Sequence, residues 1–161
     1  FQSLCKSTER VIGENEMVQL TFGAKYNGYC GNLCRPVIIG KIPQEQERLI
    51  LVSLECLNET LTLMRPGVSF AEVYDRFQAR LHKYGFVGVN LYGPAHSTGL
   101  QECEAPWVDN RGNMVLMPNM VFNVDIWLSN GVYGVRYEDG VVVTESGLDI
   151  LTNYAREIIR L

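Results

Sequence analysis

Two apolar stripes at helical spacing follow one another almost without a gap between segments that read as β. This order constrains the fold more than any other feature. The first stripe is Ile50, Leu54, Leu57, Leu61 and Met64. It follows Pro43, a first-turn proline, with Glu45 and Glu47 where acidic side chains suit a helix start, and it should stop at Arg65-Pro66-Gly67. The second is Phe70, Val73, Phe77 and Leu81, opened by the capping pattern Ser69-x-x-Glu72 and ended by Gly85. His82 sits at that helix end, where a cationic side chain is structural.

Before the stripes, residues 17 to 22 and 24 to 30 read as β, with Gly23 and Asn27-Gly28 as turn signals. After them, Met120 to Leu128, Tyr133 to Tyr137 and Val141 to Thr144 are rich in Val, Ile, Tyr and Trp, with Asn130-Gly131 and Asp139-Gly140 read as turns. Strands, then helices, then strands indicate an α+β fold. No fixed-period repeat or linker-like stretch divides the chain, so one domain is expected over residues 1–161.

With 161 residues, 47% of them hydrophobic, the chain is long enough for one soluble domain with a core. A formal charge of -4 and scattered Lys and Arg residues make nucleic acid an unsuitable partner. No apolar run approaches the roughly 20 residues needed to span a bilayer, so no membrane association is expected. The cysteines, at 5, 30, 34, 56 and 103, are odd in number and form no CxxC pair, which argues against a disulfide framework and for a reducing cytoplasm. Cys30, Cys34 and Cys56 read as small hydrophobes without chemistry, and Trp107 and Trp127 as packing residues, Trp127 being placed to line a cleft with Asp125.

Four segments carry the chemistry. Gly93-Pro-Ala-His96-Ser-Thr-Gly99-Leu100-Gln-Glu-Cys103-Glu104-Ala-Pro106 resembles a GHxxGLxxHExP signature, and Met120-Val-Phe-Asn-Val-Asp125-Ile resembles MVFTIEP. The run from Gly134-Val-Arg136-Tyr-Glu138-Asp139 to Thr144-Glu145-Ser-Gly147 is similar to GVRIEDxVxVTExG, and the run from Glu16 to Arg35 to GDxVxIDxGAxYxGYxxDxxR. In this order they resemble the creatinase/prolidase/methionine aminopeptidase family. The resemblance implies a pita-bread fold: a curved antiparallel sheet with helices on its outer face. It also implies that the chain, which begins at Phe1, is the C-terminal part of a longer two-domain protein and is incomplete at its N-terminus.

In metal-dependent members of that family, two divalent cations are held by two Asp, one His and two Glu. The matching positions here are Thr21, Asn32, His96, Asp125 and Glu138, of which His96 and Glu138 are unchanged. Asp125 keeps its charge but draws it back by one methylene, about 1.5 Å. Thr21 and Asn32 offer only a hydroxyl and an amide, so four anionic ligands become two. Two dications against two carboxylates leave costly residual charge, and no dinuclear metal centre is expected. No cofactor is expected either, beyond a single divalent metal that His96, Asp125 and Glu138 could hold.

The family's second histidine is Cys103 here, which cannot shuttle protons near neutral pH without a shifted pKa. Glu104 beside it is retained. A further family histidine falls at Leu4, or at Cys5 with one gap; the metal-free creatinase branch would place its catalytic histidine at Leu4 as well, and a substrate-binding glutamate near Cys34. Strand alternation puts Arg136 and Glu138 on one face and Val135 and Tyr137 on the other.

The resemblance therefore implies a divergent hydrolase of a C–N bond in a small amide, amidine or dipeptide-like substrate. His96, Asp125 and Glu138 would be catalytic, with Cys103, Glu104 and Arg136 binding substrate. The alternative is an inactive pseudo-peptidase that keeps the cleft as a module for a peptide or small-molecule ligand. The resemblance also implies a homodimer.

Overall fold

The structure, a computed structural model, describes residues 8–161. Leu4 and Cys5 lie outside the described residues. The N-terminal β segment is one long hairpin rather than two short strands: β1 (Glu16–Tyr26) and β2 (Tyr29–Ile39) pair antiparallel along their full length. Only Asn27-Gly28 acts as a turn, with φ of 49° and 90°, the doubly positive geometry whose twist matches that of the strands it joins. Gly23 lies inside β1, opposite Asn32.

Helix α1 (Gln44–Leu63) buries Ile50, Leu57 and Leu61 as its stripe requires, and Met64 just beyond it is buried too. Helix α2 (Phe70–Lys83) starts where the Ser69 hydroxyl accepts from the Glu72 N–H at 3.0 Å. The chain then forms β3 (Ala95–Ser97), β4 (Glu104–Trp107), β5 (Val121–Ser129), β6 (Gly134–Val143), β7 (Leu148–Ile150) and β8 (Ile159–Arg160).

One eight-stranded sheet runs β1-β2-β6-β5-β3-β4, with β7 added to β6 and β8 lying parallel to β2. The helices cover one face of it. Phe122, Val124, Ile126 and Leu128 of β5 and Val135, Tyr137, Val141 and Val143 of β6 point into that core, joined by the helix stripes. Phe70 and Phe122 meet edge to face at 5.7 Å. The opposite face of β5 and β6 carries Asn123, Asp125, Arg136 and Glu138.

The expected turn at Asp139-Gly140 is corrected: both residues lie inside a continuous β6, where Asp139 faces Val124 and Gly140 faces Asn123. A dipeptide that favours turns is held extended because the Asp139 carboxylate is wholly buried against Arg35, 2.6 Å away. Arg35 also donates to the Glu138 carbonyl at 2.9 Å.

Candidate active site

Three strands bring the polar residues together. β3 supplies His96, opposite Asn123 of β5, and Asp125 of β5 faces Glu138 of β6 directly across the ladder. The one β2–β6 pair, Cys34 with Glu138, brings the first motif beside the last. His96 Nε2 lies 3.7 Å from Asp125 Oδ2 and 3.6 Å from Glu138 Oε1, ion-pair separations rather than hydrogen bonds. Its Nδ1 is 2.9 Å from the Ser97 carbonyl, which places a proton on that nitrogen.

Arg136 grips the same carboxylates. Its Nε and Nη2 donate to Asp125 Oδ1 and Oδ2 at 2.8 and 2.7 Å, a bidentate fork, and Nη2 stands 3.3 Å from Glu138 Oε2. The guanidinium lies 4.7 Å from the centre of the Trp127 ring. Gln19 fixes the strand beneath by bonding both the N–H and the carbonyl of Arg136.

All four charged side chains are nearly sealed from solvent, Asp125 and Glu138 completely. Burial works against an imidazolium at His96, but the facing Asp125 and Glu138 carboxylates and the Ser97 carbonyl outweigh it, and the ring is pushed up to about 9. Burial also works against the Asp125 carboxylate. Here His96, Arg136 and the Tyr92 hydroxyl prevail and hold it below the usual carboxylate range. Two carboxylates thus face a guanidinium and an imidazolium, and the formal charges cancel.

The other expected ligand positions behave as neutral partners. Asn32 is buried and directs Nδ2 towards Glu138 Oε1 at 3.4 Å. Thr21 reaches the cluster only through Cys34, whose thiol lies 3.4 Å from the Thr21 hydroxyl and donates to Glu138 Oε2 at 3.0 Å. That contact corrects the reading of Cys34 as a plain hydrophobe: burial, then the nearby Glu138 charge, push its thiol far up, so it stays protonated and serves as a donor.

Cys103 and Glu104 do not join the cluster. Cys103 is exposed, with its thiol raised first by desolvation and then by the Asp125 charge. Glu104 accepts from the Gln101 N–H at 3.1 Å.

Two contributors carry no motif and were not anticipated. The Tyr92 hydroxyl donates to Asp125 Oδ2. Trp107, expected to be a packing residue, stands half open with its ring 5.3 Å from that of His96 and 5.5 Å from that of Tyr92. Trp127 completes this aromatic rim, 5.6 Å from Tyr92. His96, Asp125 and Glu138 each offer a ligand atom within 4.8 Å of the others, a spacing that could hold one metal ion.

The family model described as metallopeptidase family M24 matches residues 3–145. A methionine aminopeptidase from Chlamydia pneumoniae is 26% identical over 183 residues, covering 94% of this chain and 62% of that protein. A Xaa-Pro dipeptidase from Pyrococcus furiosus is 26% identical over 158 residues, covering 95% and 44%.

Among solved structures, an X-Pro aminopeptidase from Thermotoga maritima superposes with a TM-score of 0.88 at 27% identity, covering 99% of this chain and 45% of that one. A recombinant prolidase from Thermococcus sibiricus gives 0.89 at 27% identity, covering 97% and 43%. The sheet and its two helices are therefore those of the pita-bread fold. The chain spans about half the length of the curated relatives it matches, from 42% to 62%. No described helix is long and apolar enough to cross a membrane.

Proposed function

The chain belongs to metallopeptidase family M24, and from that premise we propose that it is a divergent hydrolase domain cleaving a C–N bond in a small amide, amidine or dipeptide-like substrate without a dinuclear metal centre. The observation that carries this reading is the charge balance at His96, Asp125, Arg136 and Glu138. Each carboxylate already has a cationic partner at 2.7 to 3.7 Å. Two dications would add four positive charges to a closed, balanced cluster in a low-dielectric setting. Asn32 turns an amide donor towards Glu138, and the Thr21 hydroxyl is engaged by Cys34. The donor set therefore does not fit two ions.

His96 is the proton carrier. Held as an imidazolium, it can donate a proton from Nε2 to the departing nitrogen as the C–N bond breaks and water adds to the carbon, and the imidazole so formed takes up the proton that the water sheds. Asp125 and Glu138 orient the ring and offset its charge; Arg136 fixes Asp125 and would bind substrate from the same face of the sheet. Cys103 and Glu104, at the start of the strand that ends in Trp107, would contact substrate rather than take part in proton transfer. One divalent ion on His96, Asp125 and Glu138 is compatible with the donors, and as a Lewis acid it would polarise the scissile group.

A second reading, a pseudo-peptidase that binds a peptide or small ligand without turnover, draws support from the near-complete burial of the cluster. By the same resemblance we propose a cytoplasmic homodimer, and that residues 1–161 are the C-terminal domain of a longer two-domain protein. Light scattering reads the oligomeric state. The hydrolase is tested with a panel of dipeptides and guanidino compounds, with and without zinc, manganese or cobalt: turnover that His96→Ala abolishes is expected. Saturable binding with no turnover would replace it with the second reading.

A further inference from the structure

Beyond the Cys34–Glu138 pair, β2 parts from β6, and β6 goes on to pair with β7 from Val141. The sheet opens there into a cavity of about 510 Å3, lined by Asn32, Thr98, Asn123 and Thr152 and, on its apolar side, by Phe22 and Leu33 among others. Among the described residues, no acidic, basic or histidine side chain lines it. His96, Asp125, Glu138 and Arg136 are therefore not part of it.

Two of its amides are unsatisfied. Asn123 is 0% exposed, and among the described residues neither its Nδ2 nor its Oδ1 has a hydrogen-bond partner; Asn32 is 5% exposed and its Oδ1 has none there either. Buried polar atoms are nearly always bonded, and leaving one unbonded typically costs about 1–3 kcal/mol. Strand alternation puts Asn123 on the Asp125 face, away from the core that takes Phe122 and Val124. An apolar residue there would carry no such cost.

A ligand that met all these atoms at once would offer a carbonyl to the Asn123 Nδ2–H and N–H groups to the Oδ1 atoms of Asn123 and Asn32. It would carry no net charge, since nothing in the lining compensates one, and an apolar substituent to lie against Phe22 and Leu33. We propose that this cavity is a binding site for a small uncharged carboxamide or peptide group bearing an apolar side chain, with Asn123 as the residue that reads it. The site stands whether or not the His96 cluster turns over a substrate.

The test is a titration of the full chain with N-acetyl-leucinamide, followed through the side-chain amide resonances of Asn32 and Asn123, with N-acetyl-leucine as the charged control. Saturable shifts of both resonances are expected, at least tenfold weaker binding of the carboxylate, and at least a tenfold loss of affinity in Asn123→Leu. Asn123→Thr, a smaller change, should show the same loss if the leucine variant does not fold. Absence of saturation, equal binding of the carboxylate, undiminished binding by a folded variant, or ordered water alone satisfying both amides with the amide probe present would overturn the proposal.

Discussion

At the residue scale, Arg136 decides the character of the candidate site. Its fork holds Asp125 by two bonds of 2.8 and 2.7 Å, both ends buried. Removing one member of a buried pair strands the other, at a typical cost of about 3–5 kcal/mol. Arg136→Met should lower the unfolding free energy by about that much in urea titrations; a loss under about 1 kcal/mol would mean that solvent already screens the pair. His96 adds a pH signature. Its proton affinity is raised from 6.5 to about 9, so the stability it contributes is fully present below pH 6.5 and is lost as pH rises through about 9. The full contribution is about 3 kcal/mol. Asp125, held low, acts in the opposite sense: its contribution is present above the ordinary Asp range and is lost on acidification below it. Midpoints of urea unfolding from pH 6 to 10 should fall with pH in the parent, and that decline should flatten in His96→Gln.

At the element scale, the helices were legible because each stripe, cap and stop acts within a few residues of chain. Ser69→Ala removes a cap bond of 3.0 Å and should cost about 1 kcal/mol by denaturant titration. Gly93 shows what local pattern does not convey. A Cβ there would run into the Val108 carbonyl across a tight crossing of backbone, so Gly93→Ala should destabilise by about 1–3 kcal/mol or more, read as a lower melting temperature. Asp139-Gly140 departs from its local pattern for the same reason. Its turn preference is real, but Arg35, 104 positions away, supplies the partner that keeps the strand straight. Likewise Cys34 and Tyr92 touch the two carboxylates only because β2 meets β6 and the segment before β3 folds over β5. Such pairings depend on register between distant strands, which short-range periodicity does not encode.

At the scale of the whole molecule, the motif residues lie far apart along the chain and still gather into one balanced group, so the resemblance could point to His96, Asp125, Arg136 and Glu138 before their contacts were visible. It could not say that the group is closed and neutral, because that depends on which side chains face one another across the sheet. The consequence concerns metal. Elemental analysis after dialysis against manganese or zinc should find no more than one ion per chain; two per chain would overturn the reading of the donor set. Any single ion must displace a proton from His96, so its apparent affinity should tighten as pH rises from 6 towards 9, as calorimetry can measure.

Neighbouring residues of β6, Glu138 and Asp139, carry carboxylates to opposite sides of the sheet, one met by Arg136 and the other by Arg35. A slip of the strand by a single step would exchange those sides, driving Asp139 out of its salt bridge and Glu138 into the oily layer beneath the helices. The ladder is thereby keyed like a lock with wards on both faces, and mispaired folding intermediates are penalised twice for the same error.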